Sequence, residues 1–203
     1  MSTLEVNTIK PISGSSTVTL GESGDTFNLA SGATSSGFGK IGQVVTTTFT
    51  GTESATTKAS DGNYTDSSVT ASITPTATSS KIMVMCTINT GASSASNGAH
   101  IGRFTQAISG GSTTAVFVGD AAGNRKRNSS GRGQDSQGGA TMLTVAFNFV
   151  LTPSTTSAVT VTYQFAVRGG GSGTAYINRT SDDGDSTEDG RTASAITLME
   201  ILA

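Results

Sequence analysis

Thr141-Met-Leu-Thr-Val-Ala-Phe-Asn-Phe-Val-Leu151 and, after seven intervening residues, Val159-Thr-Val-Thr-Tyr-Gln-Phe-Ala-Val167 decide how this chain folds. In the first stretch Leu143, Val145, Phe147, Phe149 and Leu151 fall on one side of an extended backbone. In the second, Val159, Val161, Tyr163, Phe165 and Val167 do the same, with Thr160, Thr162, Gln164 and Ala166 opposite. Strict alternation of this kind is the mark of a half-buried β-strand, because successive side chains of a strand point to opposite faces.

The pattern extends outward in both directions. Ile41 to Thr50 is rich in β-branched residues, and Val69 to Ile73 is short and stops before Pro75. Lys81 to Thr90 places Ile82, Val84, Cys86 and Ile88 on one face and Met83 and Met85 on the other. His100 to Ser109 and Thr113 to Val118 form a hairpin across Gly110-Gly111. Thr174 to Asn178 and Ala193 to Leu202 bring the total to about nine strands. No stretch holds helical spacing, and many short strands at this spacing predict an all-β sandwich or barrel. The strands around 81–88 and 195–202 are partly apolar on both faces, which points to burial against a second surface.

Composition agrees. Ser and Thr supply 64 of the 203 residues and Gly another 26, while Leu, Ile, Val and Phe together supply only 39. Charged residues are 13% and the formal net charge is −2. So small a charge argues against disorder driven by self-repulsion, and the acidic balance opposes the counterion release that drives nucleic-acid binding. The modest apolar content favours oligomerisation, since surface buried between subunits adds to what one chain buries alone. No window is apolar enough for a membrane span, and the first ten residues lack a signal peptide's basic start and apolar core.

Residues 1–40 read differently from 41–203. Short threads, Thr17-Val-Thr-Leu20 and Thr26-Phe-Asn-Leu29, follow Ser-Gly turns. Three-residue apolar patches cannot bury themselves, so the segment is either an extended β arm lying on a partner or a flexible arm.

Candidate sites are few. The stretch 119–139 gathers Arg125, Lys126, Arg127 and Arg132, a third of the twelve basic residues. Loops of that length are usually functional or disordered. It reads either as a binding surface for an anionic sugar or phosphate or as a solvated or subunit-contacting loop. The stretch 178–190 is its acidic counterpart. Asp183, Asp185 and Asp189 offer the hard oxygen ligands that calcium prefers, although the EF-hand spacing fails, since the twelfth position from Asp183 is Ser194. A solvated turn is the alternative, and opposite charge on the two loops permits a contact between them. Cys86 is the single cysteine and His100 the single histidine. Cys86 reads as a buried small hydrophobe, and no spacing ties the two into a catalytic pair. No catalytic residue, cofactor or metal is assigned, and the chain reads as a non-enzyme.

The opening Leu4-Glu-Val-Asn-Thr-Ile-Lys-Pro-Ile-Ser-Gly-Ser-Ser-Thr-Val-Thr-Leu-Gly-Glu-Ser-Gly-Asp-Thr26 resembles the N-terminal segment of tail-fibre-like virion structural proteins of marine tailed bacteriophages, cyanophages among them. Ala193-Ser-Ala-Ile-Thr-Leu-Met-Glu-Ile201 is similar to the last strand of their C-terminal domains. Together these cover about a sixth of the chain. The resemblance implies a jelly-roll-like antiparallel β-sandwich at 41–203 and an attachment or trimerisation arm at 1–40. It implies a homotrimeric appendage, made in the host cytoplasm and carried on the virion. Such an appendage would be fixed to other virion proteins through 1–40 and would contact a host surface glycan or protein. An extended repetitive shaft is missing. A capsid decoration protein or head fibre, a tail adaptor without receptor binding, and a glycan-degrading appendage therefore stay open.

Overall fold

The structure, a computed structural model, describes residues 9, 40–93, 99–130, 141–168, 173–187 and 189–202. Apart from Ile9 and Lys40, the arm 1–40 lies outside the described residues. Residues 39–203 form one compact unit.

Among the described residues ten strands carry the fold: β1 (Ile41–Phe49), β2 (Glu53–Ala55), β3 (Thr65–Ile73), β4 (Lys81–Ala92), β5 (His100–Ile108), β6 (Thr113–Val116), β7 (Met142–Leu151), β8 (Val159–Val167), β9 (Ala175–Ile177) and β10 (Ser194–Ile201). All ladders between them are antiparallel. One sheet runs β3-β8-β5-β6. In the other, β7 lies along one edge of β4 from Ile82 to Gly91, and the opposite edge of β4 is shared. β10 pairs with Lys81 to Thr87, and β9 takes over at Thr90 to Ala92. β1 then flanks β10, and β2 flanks β9. The principal strands are thus ordered 1-10-4-7 in one sheet and 3-8-5-6 in the other. That order is the double Greek key of a jelly roll, as the sequence reading expected.

The two alternating stretches become β7 and β8, one in each sheet, with their apolar sides facing inward across the sandwich. Phe104 of β5 is fully buried between them. Its ring centroid lies 5.1 Å from Phe147, 5.0 Å from Phe149 and 5.2 Å from Tyr163 in edge-on or tilted contacts, the arrangement aromatic quadrupoles favour. Around it pack Ile82, Val84, Ile88, Val161, Ile196 and Leu198, all inaccessible to solvent. Cys86 joins this core, and burial pushes its thiol up to about 12. Gly102 is required where it stands, because a Cβ there would come within 1.9 Å of the Tyr163 hydroxyl oxygen.

Two expectations need correction. The short strand at Val69–Ile73 begins four residues earlier, at Thr65, where the β3–β8 ladder shifts register between Asp66 and Thr70 and hides the alternation. The strand Glu53–Ala55 was not anticipated, and three residues leave no period to read. A 3₁₀ turn, Ala59–Asp61, follows it.

Candidate functional site

The basic stretch is a folded-back loop, and its course is set by backbone bonds. The Gly119 amide donates to the Asn128 carbonyl at 3.2 Å, which closes the loop on itself. The Ser129 and Ser130 amides both donate to the Gly102 carbonyl at 3.0 Å, and the Phe104 amide donates to Ser129 Oγ at 3.1 Å. The returning chain is thereby pinned along β5, and Arg125, Lys126 and Arg127 sit in the pinned span. Arg132 lies outside the described residues.

These three cations line one wall of a groove of about 390 Å³, and Arg103 of β5 lines another. Tyr64, just before β3, stands between them. The Arg103 guanidinium lies 3.9 Å from the Tyr64 ring centroid, a cation–π contact, and the Tyr64 hydroxyl donates to Asn128 Oδ1. Burial raises the Tyr64 pKa, and the charge of Arg103 partly opposes it. Arg103 Nε donates to Gln164 Oε1 at 2.8 Å, and Gln164 Nε2 donates in turn to Asp66 Oδ1 at 2.6 Å. Arg127 Nε donates to the Gly119 carbonyl at 2.5 Å. Both arginines are therefore held at Nε, and the paired terminal amino groups of each guanidinium extend beyond that anchor. Ala115 and Val118 give the groove an apolar side. At Gly62, which takes a left-handed φ of 79° on leaving the 3₁₀ turn, an added Cβ would lie 3.8 Å from Lys126 Nζ. No acidic side chain lines the groove among the described residues.

Sequence reasoning found the triplet and missed Tyr64 and Arg103. Neither carries a one-dimensional signal, since only the β3-β8-β5 order brings residues 64 and 103 side by side.

The acidic stretch is held by its own arginines. Arg191 Nε and one terminal amino group donate to the two oxygens of Asp183, both at 3.1 Å, and Arg179 lies 3.2 Å from one of them. The Arg191 hydrogen bond foremost, then the charges of Arg191 and Arg179, hold the Asp183 carboxyl below its usual range. Asp189 Oδ2 accepts the Gly184 amide at 3.1 Å. Among the described residues no three His, Cys, Asp or Glu side chains converge as a metal site would require. The ends of this loop meet at a buried polar knot. Asn178, inaccessible to solvent and at a left-handed φ of 62°, donates from Nδ2 to the carbonyls of Phe49 and Gly51 at 2.8 and 2.9 Å. Its Oδ1 accepts the Ser194 hydroxyl at 2.6 Å.

His100 is wholly buried. Its Nε2 lies 3.0 Å from the Tyr163 hydroxyl, and burial pushes its pKa down to about 4 against a smaller opposing pull from the Tyr176 and Gly91 carbonyls. It is a neutral core histidine, stacked on Phe165 at 5.6 Å.

The outer face of the β7-β4-β10-β1 sheet is the second feature. Register aligns Val150, Met83, Met199 and Val44 in one row across all four strands. The next row is Asn148, Met85, Thr197 and Thr46, and the third is Ala146, Thr87, Ala195 and Thr48. At the other end Lys81 pairs with Ile201, which pairs with Ile41, and Lys81 supplies the one charge in these rows. Val44, Val150, Met85 and Ile41 are each about half exposed.

The sequence matches no protein-family model and no curated protein. Among solved structures it is similar to that of infectious bursal disease virus Gx strain, with a TM-score of 0.38 and 19% identity over 79% of this chain and 37% of that one. It is also similar to the VP2 subviral particle of infectious bursal disease virus, with a TM-score of 0.36 and 15% identity over 79% of this chain and 41% of that one. The chain thus spans about two fifths of those proteins, and likeness at this level says nothing of what it does. Among the described residues no helix is long and apolar enough to cross a membrane.

Proposed function

We propose that the chain is a bacteriophage virion structural protein: a non-enzymatic, homotrimeric, tail-fibre-like appendage. In this reading residues 1–40 attach it to other virion proteins, and the cationic groove meets the host surface. The observation that carries the proposal is the outer face of the β7-β4-β10-β1 sheet. A four-strand face some 20 Å on each side, about 400 Å² in plane, is comparable with the largest patch of a typical monomer, a size often found at functional surfaces. Its rows of Met, Val, Ile, Thr, Ala and Asn with a single lysine suit packing against the neutral surfaces that neighbouring copies of the chain offer. The N-terminal thread's resemblance to phage appendage proteins supports the virion setting.

Light scattering on the full chain tests it, with three times 20.3 kDa expected. Met85→Lys and Val150→Lys place charges at outward, half-exposed positions, so they leave the core intact while breaking the trimer. A wild-type monomer, or a trimer indifferent to both substitutions, overturns the proposal.

A further inference from the structure

We infer that the groove between β5 and the folded-back loop is an oxyanion site that takes the carboxylate or sulfate group of an acidic saccharide. The inference deepens the surface-contact part of the function proposed above. Three observations carry it. Four cationic residues, Arg103, Arg125, Lys126 and Arg127, line one concavity with no acid among its described lining residues. Two of them, Arg103 and Arg127, are anchored at Nε on Gln164 and on the Gly119 carbonyl. That leaves each guanidinium its two terminal amino groups, the geometry for bidentate capture of a planar or tetrahedral oxyanion at little further entropic cost. Tyr64 stacks under Arg103 and holds Asn128, so the β5 wall and the loop wall are tied to each other before any ligand arrives.

The rest of the groove selects the body that bears the anion. Ala115 and Val118 present a small apolar side, while Arg125, Lys126 and Arg127 are solvent-exposed. A ligand with one apolar face and a hydrated, hydroxyl-rich edge fits that division, and a saccharide ring has both. A volume of about 390 Å³ lies within the range of small-molecule sites. A nucleic-acid backbone is a poorer match: the chain's net charge is −2, and the four cations of the groove are gathered in one hollow where a duplex or strand needs a continuous stripe.

The test uses the full chain at roughly physiological salt, where diffuse attraction is screened beyond about 8 Å. Calorimetric titrations compare a glucuronate-containing hexasaccharide, a sulfated hexasaccharide, a neutral glucose hexasaccharide and inorganic sulfate. At least one acidic hexasaccharide is expected to bind, the neutral one not, and inorganic sulfate at least tenfold more weakly than the acidic sugar. Arg103→Gln and Arg127→Gln should each weaken binding about tenfold or more, the size expected for losing a charge-assisted pair. Arg191→Gln, on the acidic loop and outside the groove, should change it less than twofold. Arg127 sits on the loop, so its substitution keeps the test valid if Arg103→Gln unfolds.

Equal losses from Arg191→Gln and Arg127→Gln would reduce the binding to unspecific attraction and overturn the assignment. So would equal affinity for inorganic sulfate, or binding of the neutral sugar. A monomer by light scattering that still binds the acidic sugar refutes the trimer and leaves this site standing. A trimer that binds neither acidic probe refutes the site alone.

Discussion

Replacing Glu200 with Gln should destabilise the fold at neutral pH and matter far less in acid. Glu200 lies on β10 between Met199 and Ile201, yet it points inward and is inaccessible to solvent. Burial pushes its carboxyl up. The Gln43 amide at 2.8 Å and the Thr76 amide and hydroxyl at 2.6 and 2.7 Å outweigh that and bring it down to about 2, from an ordinary 4.5. Gln43 Nε2 also donates to the Thr74 carbonyl at 2.6 Å, so one carboxylate ties β1, β10 and the β3–β4 loop. A folded-state pKa below the unfolded one contributes stability above about 4.5 and loses it as pH falls toward 2. The linkage value is roughly 3 kcal/mol. Gln keeps the shape but turns one acceptor into a donor facing donors. A loss of about 2–3 kcal/mol at pH 7 follows, or roughly 5–10 °C in Tm for a domain of this size. Thermal melts of both proteins at one concentration, in steps from pH 7 to pH 2.5, read it directly. The gap should narrow from pH 4.5 downward and be about a quarter of its neutral size at pH 2.5. A variant as stable as the wild type at pH 7, or a gap undiminished at pH 2.5, would refute the reasoning.

His100 governs a different window. Its pKa of about 4 in the fold, against 6.5, means that stability is complete above 6.5 and falls as pH drops toward 4. Chemical denaturation between pH 7 and 5 should be flatter for His100→Gln than for the wild type. Gly102→Ala forces a Cβ onto the Tyr163 hydroxyl and should cost more than about 3 kcal/mol or prevent folding, as solubility and circular dichroism would report. Asn178→Ala removes three hydrogen bonds and leaves the Phe49 and Gly51 carbonyls and the buried Ser194 hydroxyl without that partner. A loss of about 3 kcal/mol in urea unfolding is expected. Cys86, buried with its thiol pushed up to about 12, should react with a thiol reagent only in denaturant.

Much of the architecture can be read along the chain because a strand's period of two survives in one dimension. Phe147 and Phe149, Val161 and Tyr163 each announce the face they bury. The strand at Glu53–Ala55 is too short to show a period, and β3 conceals its first residues behind a shifted register. The groove is a different matter. Arg125, Lys126 and Arg127 stand together in sequence, but Tyr64 and Arg103 meet them only through strand order, a property of the ladder and of no local stretch. The acidic loop teaches the converse. Its carboxylates suggest a cation, and Arg179 and Arg191, only four and eight residues from Asp183, already neutralise the residue that would lead such a site.

The shared edge of β4 leaves one place where the chain can be lengthened without cost to the sheet. β9 and β10 occupy the same line beside β4, and the segment 178–193 departs from that line and returns to it. Its exit and return are fastened to each other: Ser194 Oγ lies 2.6 Å from Asn178 Oδ1, and the Thr192 amide donates to the Asn178 carbonyl at 3.1 Å. With the two ends clasped, the entropy of closing what lies between grows only logarithmically, about 0.6 kcal/mol for each doubling in length. Natural variants of this fold should therefore differ most between residues 181 and 190. A peptide epitope or small domain grafted there would be displayed from the sandwich while every strand kept its partner.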